Sequence, residues 1–164
     1  MIPIKVAVIA DTHLKSMKKP LPRLLYQRLI NVDVIFHCGD IQHQDVLSEL
    51  EGFAPVYAVK GNGDSGDMVT NLPEKCIVEL NGYRIGIFHG HGEKGRTVDR
   101  AFNSFIHENV DIVIFGHSHQ PLLQTKSGIL LLNPGSPTVK RREKKYSFIL
   151  LYLEETLRCE FVLF

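Results

Sequence analysis

The chain has 164 residues, 44% of them hydrophobic and 23% charged, with a formal net charge of +1. That length suits one domain, expected to run over residues 1–164, with a single sizeable core. A balance so close to neutral lends no support to a nucleic-acid or anionic-membrane partner. No apolar stretch reaches membrane length, and the run before Asp11 is too short for a secretory leader. The three cysteines, Cys38, Cys76 and Cys159, are far apart and form no C-x-x-C pair. They favour reduced thiols in a soluble, cytoplasmic protein over a disulfide framework or a thiolate zinc site.

Taken in order, Ile4 to Ala10 is a β-branched first strand. A basic, proline-bearing loop (Lys15 to Pro22) leads to an amphipathic stretch, Arg23 to Ile30, with Leu24, Leu25 and Leu29 on one side. Val32 to Phe36 is the second strand, Asp45 to Leu50 a short helix stopped by Gly52, and Pro55 to Lys60 the third strand. This β-α-β-α-β alternation implies parallel pairing with right-handed crossovers. A polar loop spans Gly61 to Lys75. Beyond it, Asn81-Gly82 joins Cys76–Leu80 to Tyr83–His89, a strong hairpin signal. Thr97 is positioned to cap a helix through about Asn109, burying Val98, Ala101, Phe102, Phe105 and Ile106. Asp111 to Phe115 is another buried strand, Leu122 to Leu132 a hairpin around Ser127-Gly128, and Tyr146 to Phe164 a closing hairpin around Glu154-Glu155. Early β-α units followed by hairpins suggest two mixed sheets packed face to face with helices outside. Exposed strands near the C-terminus leave room for a homodimer.

Five of the apolar runs end in polar residues of one chemical kind. Val6–Ala10 ends in Asp11-Thr12-His13, and Val32–Phe36 in His37-Cys38-Gly39-Asp40. Pro55–Val59 ends in Gly61-Asn62, Ile85–Phe88 in His89-Gly90-His91, and Ile112–Phe115 in Gly116-His117-Ser118-His119. Open α/β sheets place their chemistry at the carboxyl ends of strands. A single H-x-H is more often structural than metal-binding, and the signal lies in the co-occurrence. Asp11, His13, Asp40, Asn62, His89, His117 and His119 together offer carboxylate, imidazole and amide oxygen, a set suited to Mn²⁺, Fe or Zn²⁺. Two cations roughly 3.5–4 Å apart need a ligand that reaches both, and the two oxygens of Asp40 make it the candidate bridge. A water held between such ions ionises near neutral pH and becomes a nucleophile, while the same ions stabilise charge on a phosphoryl oxygen.

These blocks (Asp11-x-His13, Gly39-Asp40, Gly61-Asn62, His89-Gly90-His91 and Gly116-His117-x-His119) resemble those of the calcineurin-like metallophosphoesterases, from Ile4 to about Pro137. The short chain and the Gly-Asn-x-Asp pattern are similar to the small prokaryotic YfcE-type phosphodiesterase branch. The resemblance implies an α/β fold, a four-layer αββα sandwich of two mixed β-sheets with flanking helices. It also implies a dinuclear centre, with Asp11, His13, Asp40 and His119 on one ion and Asp40, Asn62, His89 and His117 on the other. Manganese is the first expectation for the two divalent ions, with nickel, iron or zinc as alternatives. The implied activity is hydrolysis of a phosphate ester, most simply a diester, by a hydroxide bridging the metals. Asn133-Pro134-Gly135-Ser136 matches a loop beside that site in the branch.

One departure stands out. Where the superfamily places a histidine general acid after Gly-Asn, and the branch a cysteine, this chain has Gly63. Loss of general-acid catalysis costs about 10²–10⁴ in rate for a poor leaving group. Diesters or activated esters are therefore expected, or a proton from elsewhere. His91 is the first substitute as catalytic acid, with support of a metal-bound histidine as its other reading. Asp64 is read as a hydrogen-bond acceptor behind the site or a turn former, and His37 as structural. His43 is a candidate for the site entrance, His107 is solvated, and the run Lys140–Lys145 is a solvated loop. Because a retromer subunit shares this fold, a catalytically weak protein-interaction scaffold is the alternative function. Gly61 to Gly66 also spells G-x-G-x-x-G, but the residues before Pro73 are too few for the helix a dinucleotide site needs, so that reading is rejected.

Overall fold

The structure is a computed structural model that describes residues 1–66 and 71–164. Part of the segment weighed against a dinucleotide site, 67–70, lies outside the described residues. In chain order the described elements are β1 (Ile4–Ile9), α1 (Arg23–Leu29), β2 (Val34–His37), α2 (Gln44–Glu51), β3 (Val56–Ala58), β4 (Lys75–Leu80) and β5 (Tyr83–Phe88). They continue as α3 (Thr97–Ser104), β6 (Ile112–Ile114), β7 (Pro121–Lys126), β8 (Ile129–Pro134), β9 (Ser147–Leu153) and β10 (Arg158–Leu163).

The strands form two five-stranded mixed sheets, ordered β10-β9-β1-β2-β3 and β4-β5-β6-β8-β7. The first is parallel through β1, β2 and β3, with Val6 opposite Val34 and Ile35 opposite Val56. The second is parallel through β5, β6 and β8. Alternation along each strand sorts side chains into layers. Val6 and Val8 of β1, Ile149 and Leu151 of β9, and Ile85, Ile87, Ile112 and Ile114 meet between the sheets. Ala7, Ile9, Phe148 and Leu150 face the other way, against Leu25 and Leu29 of α1 and Val46, Leu47 and Leu50 of α2. Val113 and Leu131 pack under Val98, Ala101 and Phe102 of α3. The result is the expected αββα order of layers, with near-continuous apolar runs where a strand is covered on both faces.

Two hairpins form where local chemistry puts them. Asn81 and Gly82, at φ +51° and +83°, make the left-handed pair that matches strand twist, as do Ser127 and Gly128 at +51° and +79°. Asn81 also donates from Nδ2 to the Leu153 carbonyl at 2.7 Å, tying this turn of one sheet to β9 of the other.

The third helix departs from expectation at both ends. Arg96, not Thr97, occupies its N-cap position, without a side-chain capping bond. Thr97 Oγ1 instead accepts from Arg100 Nη2 at 3.2 Å. The helix stops at Ser104 because Phe105 leaves helical geometry (φ −123°, ψ 8°) and drives its ring under the second sheet. A Cβ on Gly86 would lie 2.8 Å from that ring, so β5 has glycine where the ring packs. Ile106, expected in the buried stripe, is 48% exposed. Among the described residues no helix is long and apolar enough to cross a membrane.

Candidate metal centre

Because β1, β2 and β3 run together, as do β5, β6 and β8, their carboxyl ends open on one edge of the sandwich. There the chain turns sharply. Asp11, His13, Asp40, His117 and His119 all adopt positive φ, between +47° and +68°. Non-glycine residues in this left-handed region cost roughly 1 kcal/mol or more each and persist only where surroundings fix them. Backbone bonds do so here: Asp11 N–H donates to Gly39 O and His13 N–H to Asp40 O, both at 3.0 Å. His117 N–H donates to Asp11 Oδ2 at 2.8 Å. Gly39, at φ +95°, passes so close to Gly61 that a Cβ on it would fall 2.7 Å from Gly61 N, and a Cβ on Gly61 would fall 2.1 Å from Asp40 Oδ1.

The turns aim acceptor atoms at one small volume. Asp11, His13 and His119 form one group and Asp40, His89 and His117 a second, the ligand atoms of each lying within 4.8 Å of one another. Asp40 Oδ2 is 3.3 Å from His89 Nε2 and 3.5 Å from His13 Nε2, so this carboxylate touches both groups. Asp11 Oδ1 is 3.4 Å from His119 Nε2, 3.6 Å from His13 Nε2 and 3.8 Å from His89 Nε2. Asn62 Oδ1 approaches His117 Nδ1 at 3.1 Å, and His117 Nδ1 is 3.3 Å from His89 Nε2. All seven residues singled out in the sequence thus gather around one cluster.

What lies behind the cluster decides which nitrogens face in. His89 Nδ1–H donates to the Cys38 carbonyl at 2.7 Å, and His119 Nδ1–H to the Val139 carbonyl. Each bond fixes the tautomer that leaves Nε2 with an inward lone pair. Lone pairs of imidazole and carboxylate then face one another, and Asp11 Oδ1 is buried without a hydrogen-bond partner. A buried acceptor left unpaired is costly, and a cation is the species that satisfies such a donor set.

The electrostatics agree. Burial pushes the carboxyl of Asp40 upward, but hydrogen bonding and charge from His89, the Gly63 amide and His13 outweigh it and hold the group well below the ordinary carboxylate range. Burial lowers the His89 pKa, yet the Asp40 hydrogen bond and the charges of Asp11 and Asp40 turn the net shift upward. Burial and the charge on His89 push His117 down to about 4. His119 is lowered too, first by burial. Both rings are neutral near pH 7, as ligands must be.

A second rank of residues positions the first. Asp64 accepts the Asp40 and Gly61 amides on Oδ2, at 3.0 and 2.9 Å, and the Gln42 amide on Oδ1 at 2.7 Å. One buried carboxylate thereby holds the turn that presents Asp40. Ser136 Oγ donates to Asp11 O at 2.8 Å, and Thr138 Oγ1 to Thr12 O at 2.7 Å. Asn133 Nδ2 donates to Gly116 O at 2.9 Å. The side-chain amide of Gln42 lies 3.0 Å from His13 Nδ1. Gln42, Thr138 and Val139 carried no signal in the sequence, and Val139 acts through a carbonyl every residue has.

The other histidines take varied places. His37 is buried, its Nδ1 accepting the Gly39 amide at 3.2 Å and its Nε2–H donating to Thr12 Oγ1 at 3.1 Å. Burial drives its pKa down to about 3. His43 caps α2 through Nδ1, accepting from the Asp45 amide at 3.1 Å. The His91 ring lies tilted against those of Phe88 and His89, at 5.3 and 5.6 Å between centroids, with Nε2 3.4 Å from Glu74 Oε2 and Nδ1 buried and unpartnered. A cavity of about 680 Å³ opens beside Thr12 and His13, walled by Leu14, Lys19, Tyr146 and Phe164 among others.

Two sheets whose parallel strands end together on a carboxylate that touches two histidine groups define a candidate metal-centre fold, and comparison with known proteins gives it a family. The calcineurin-like phosphoesterase superfamily domain matches residues 4–156. The chain belongs to this family, as the sequence blocks indicated. It is 40% identical over 159 residues to a probable metallophosphoesterase of Methanocaldococcus jannaschii, covering 96% of this chain and 80% of that one. It is 27% identical over 146 residues to a phosphodiesterase of the same organism, covering 80% of this chain and 83% of the other. In structure it is similar to a Vps29 single mutant from Entamoeba histolytica, with TM-score 0.76 and 25% identity over 98% of this chain and 99% of that one.

Two outcomes test this arrangement. An unfolded histidine titrates near 6.5, so below that pH the unfolded chain takes up a proton that buried His37 refuses. Stability therefore falls as pH drops, this one group accounting for about 2 kcal/mol between pH 7 and pH 5. His37→Gln, which keeps a donor and an acceptor, loses that part of the dependence in urea unfolding; identical pH slopes for both proteins would refute it. Asp64→Asn turns a donor toward amides that need an acceptor. It is expected to weaken Mn²⁺ binding by about 10–100-fold in calorimetric titration, and unchanged affinity would mean the Asp40 turn holds its shape unaided.

Proposed function

We propose that this chain is a divalent-metal-dependent phosphodiesterase, acting as one domain in the cytoplasm. In this reading Asp11, His13, Asp40 and His119 hold one cation, while Asp40, Asn62, His89 and His117 hold the other. The observation that carries it is the inward cluster of acceptors around Asp40, with Asp11 Oδ1 buried and unpartnered. Manganese is the metal of first choice for carboxylate, imidazole and amide oxygen without thiolate. Two such cations, when bound, supply Lewis acidity toward phosphoryl oxygens and an ionised water as nucleophile. The three cysteines are unpaired, which supports a reducing compartment.

The chain's own contribution is positional. The outward bonds from His89 to Cys38 O and from His119 to Val139 O keep both rings in the ligating tautomer. Asp64 fixes the turn, and the Gly63 amide donates to Asp40 Oδ1 at 2.7 Å, orienting the carboxylate that faces both groups. With no side chain at Gly63 to protonate a leaving group, esters with weakly basic leaving oxygens are the fitting substrates. His91 is the candidate donor for the rest, through its unpartnered Nδ1. Burial and the neighbouring charge of His89 lower its pKa, making its protonated form a stronger acid and a scarcer one.

The missing donor at Gly63, together with the similarity to Vps29, supports a second reading, a protein-binding scaffold with a weak or silent centre. Hydrolysis of bis-p-nitrophenyl phosphate in Mn²⁺, with and without chelator, separates the two. Metal-dependent turnover is expected, and its absence favours the scaffold. Asp40→Asn is expected to abolish turnover and to lower the bound-metal stoichiometry; two retained ions and a near-native rate would rule out the shared carboxylate. Gly63→His is expected to exceed Gly63→Ala on an alkyl phosphate ester. Both variants carry a Cβ 3.0 Å from Asp40 Oδ1, and only His carries a proton. Equal rates would place the limit elsewhere.

A further inference from the structure

A cavity of about 440 Å³ opens beside the turn that follows β6, lined by Ser118, Gln120, Lys140, Arg141, Arg142 and Glu143. Ser118 lies between His117 and His119 in the chain, so the cavity adjoins the turn that carries both histidines. The lining carries three cationic residues, Lys140, Arg141 and Arg142, against the single carboxylate of Glu143, and is net positive. Arg141 is held at φ +50°, an unfavourable region for a side chain of its size, and its Nη1 donates to the His117 carbonyl at 3.2 Å. A guanidinium has five N–H donors in a planar fork, so that one bond leaves others for an anion. Among the described residues neither Arg141 nor Arg142 pairs with a carboxylate, although other arginines do. Lys140 is committed to the Lys144 carbonyl and the Tyr146 ring, and adds field more than contact.

A second, independent observation concerns the leaving group. Position 63 offers an amide and no side chain, and that amide is spent on Asp40. An alkoxide leaving group needs a proton as the bond breaks. A phosphate leaving group does not, because a phosphate monoester ionises with a second pKa of about 6.

We propose that the cavity seats a second phosphate of the substrate, joined through a bridging oxygen to the phosphorus under attack. The natural substrate is then a diester of pyrophosphate, not a simple phosphodiester. This rests on the phosphoesterase reading above and narrows it. Water forms one new P–O bond, the bond to the bridging oxygen breaks, and that oxygen departs with its electron pair as part of a phosphate monoester. The proton of the water passes to solvent. Arg142, with the free edge of Arg141, binds the departing phosphate in the bidentate manner that suits guanidinium.

Two measurements decide it. Inorganic pyrophosphate titrated calorimetrically into protein in excess chelator is expected to bind, and Arg142→Gln to weaken that binding by about 10-fold. With Mn²⁺ present, the same substitution is expected to lower the ratio of kcat/KM for a dinucleoside 5′,5′-diphosphate to that for bis-p-nitrophenyl phosphate by about 10-fold. Equal losses on both substrates would make Arg142 a general support of the loop that carries it and overturn the proposal. Weakened pyrophosphate binding with an unchanged ratio would assign the cavity to a free inorganic anion and overturn it as well. Failure of the unsubstituted protein to hydrolyse either substrate sinks the phosphoesterase reading itself, and the chelator titration still decides whether the cavity holds a diphosphate.

Discussion

Repulsion among like lone pairs is the constraint on which the rest of this structure depends. Asp11, Asp40 and the inward nitrogens of His89 and His119 occupy a volume where Asp11 Oδ1 is buried without a hydrogen-bond partner. Left to itself such a cluster would relax by turning rings outward or taking up protons. The sandwich prevents the first. His89 is anchored through the Cys38 carbonyl and His119 through that of Val139, and the turns carrying them are bonded to one another, Gly116 N–H donating to His89 O at 3.0 Å. The upward shift at His89, driven by Asp40 and Asp11 against the opposing effect of burial, reflects the negative charge gathered there. A divalent cation resolves both demands at once, which is why the cluster's geometry and its electrostatics point to the same occupant.

Holding that geometry is costly. Five residues of the cluster sit at positive φ, and none is glycine. The compensating bonds are unusually concentrated. Asp64 alone accepts three amides, and Ser136 Oγ donates to Asp11 O while accepting the amides of Thr138 and Val139. His37, locked neutral between Gly39 and Thr12, fills the space behind the first two turns without adding charge. Strain at the rim is thus balanced by hydrogen bonds one layer deeper, in a region the apolar layers keep dry.

The surroundings of the centre are asymmetric. On the His13 side lies a largely apolar cavity with Tyr146 and Phe164 in its wall and Lys19 as its cation. On the Ser118 side the lining is cationic. A substrate spanning the centre therefore meets apolar surface at one end and guanidinium at the other. On the phosphodiesterase reading proposed above, this asymmetry and the amide-only position at Gly63 would move selectivity from proton donation by the protein to the intrinsic quality of the leaving group.

Much of this was legible in the chain. Apolar runs ending in Asp11, Asp40, Asn62, His89 and His117 gave both the strands and the candidate cluster, because a strand covered on both faces must be apolar throughout and can turn polar only where it leaves the sheet. Asn81-Gly82 and Ser127-Gly128 were readable because a tight turn is decided by the φ its own two residues tolerate. The helix after Thr97 was read too long, since Phe105 is drawn under Gly86 by packing that no helical period encodes. Nor did local pattern reveal that β9 and β10 join β1 in the first sheet, that Val139 orients His119, or that Arg141 reaches the His117 carbonyl. Residue type and spacing fix what a segment can offer. Which offers meet, as with His13 and His119 across 106 positions at 3.2 Å, depends on packing between segments, and only the folded chain decides it.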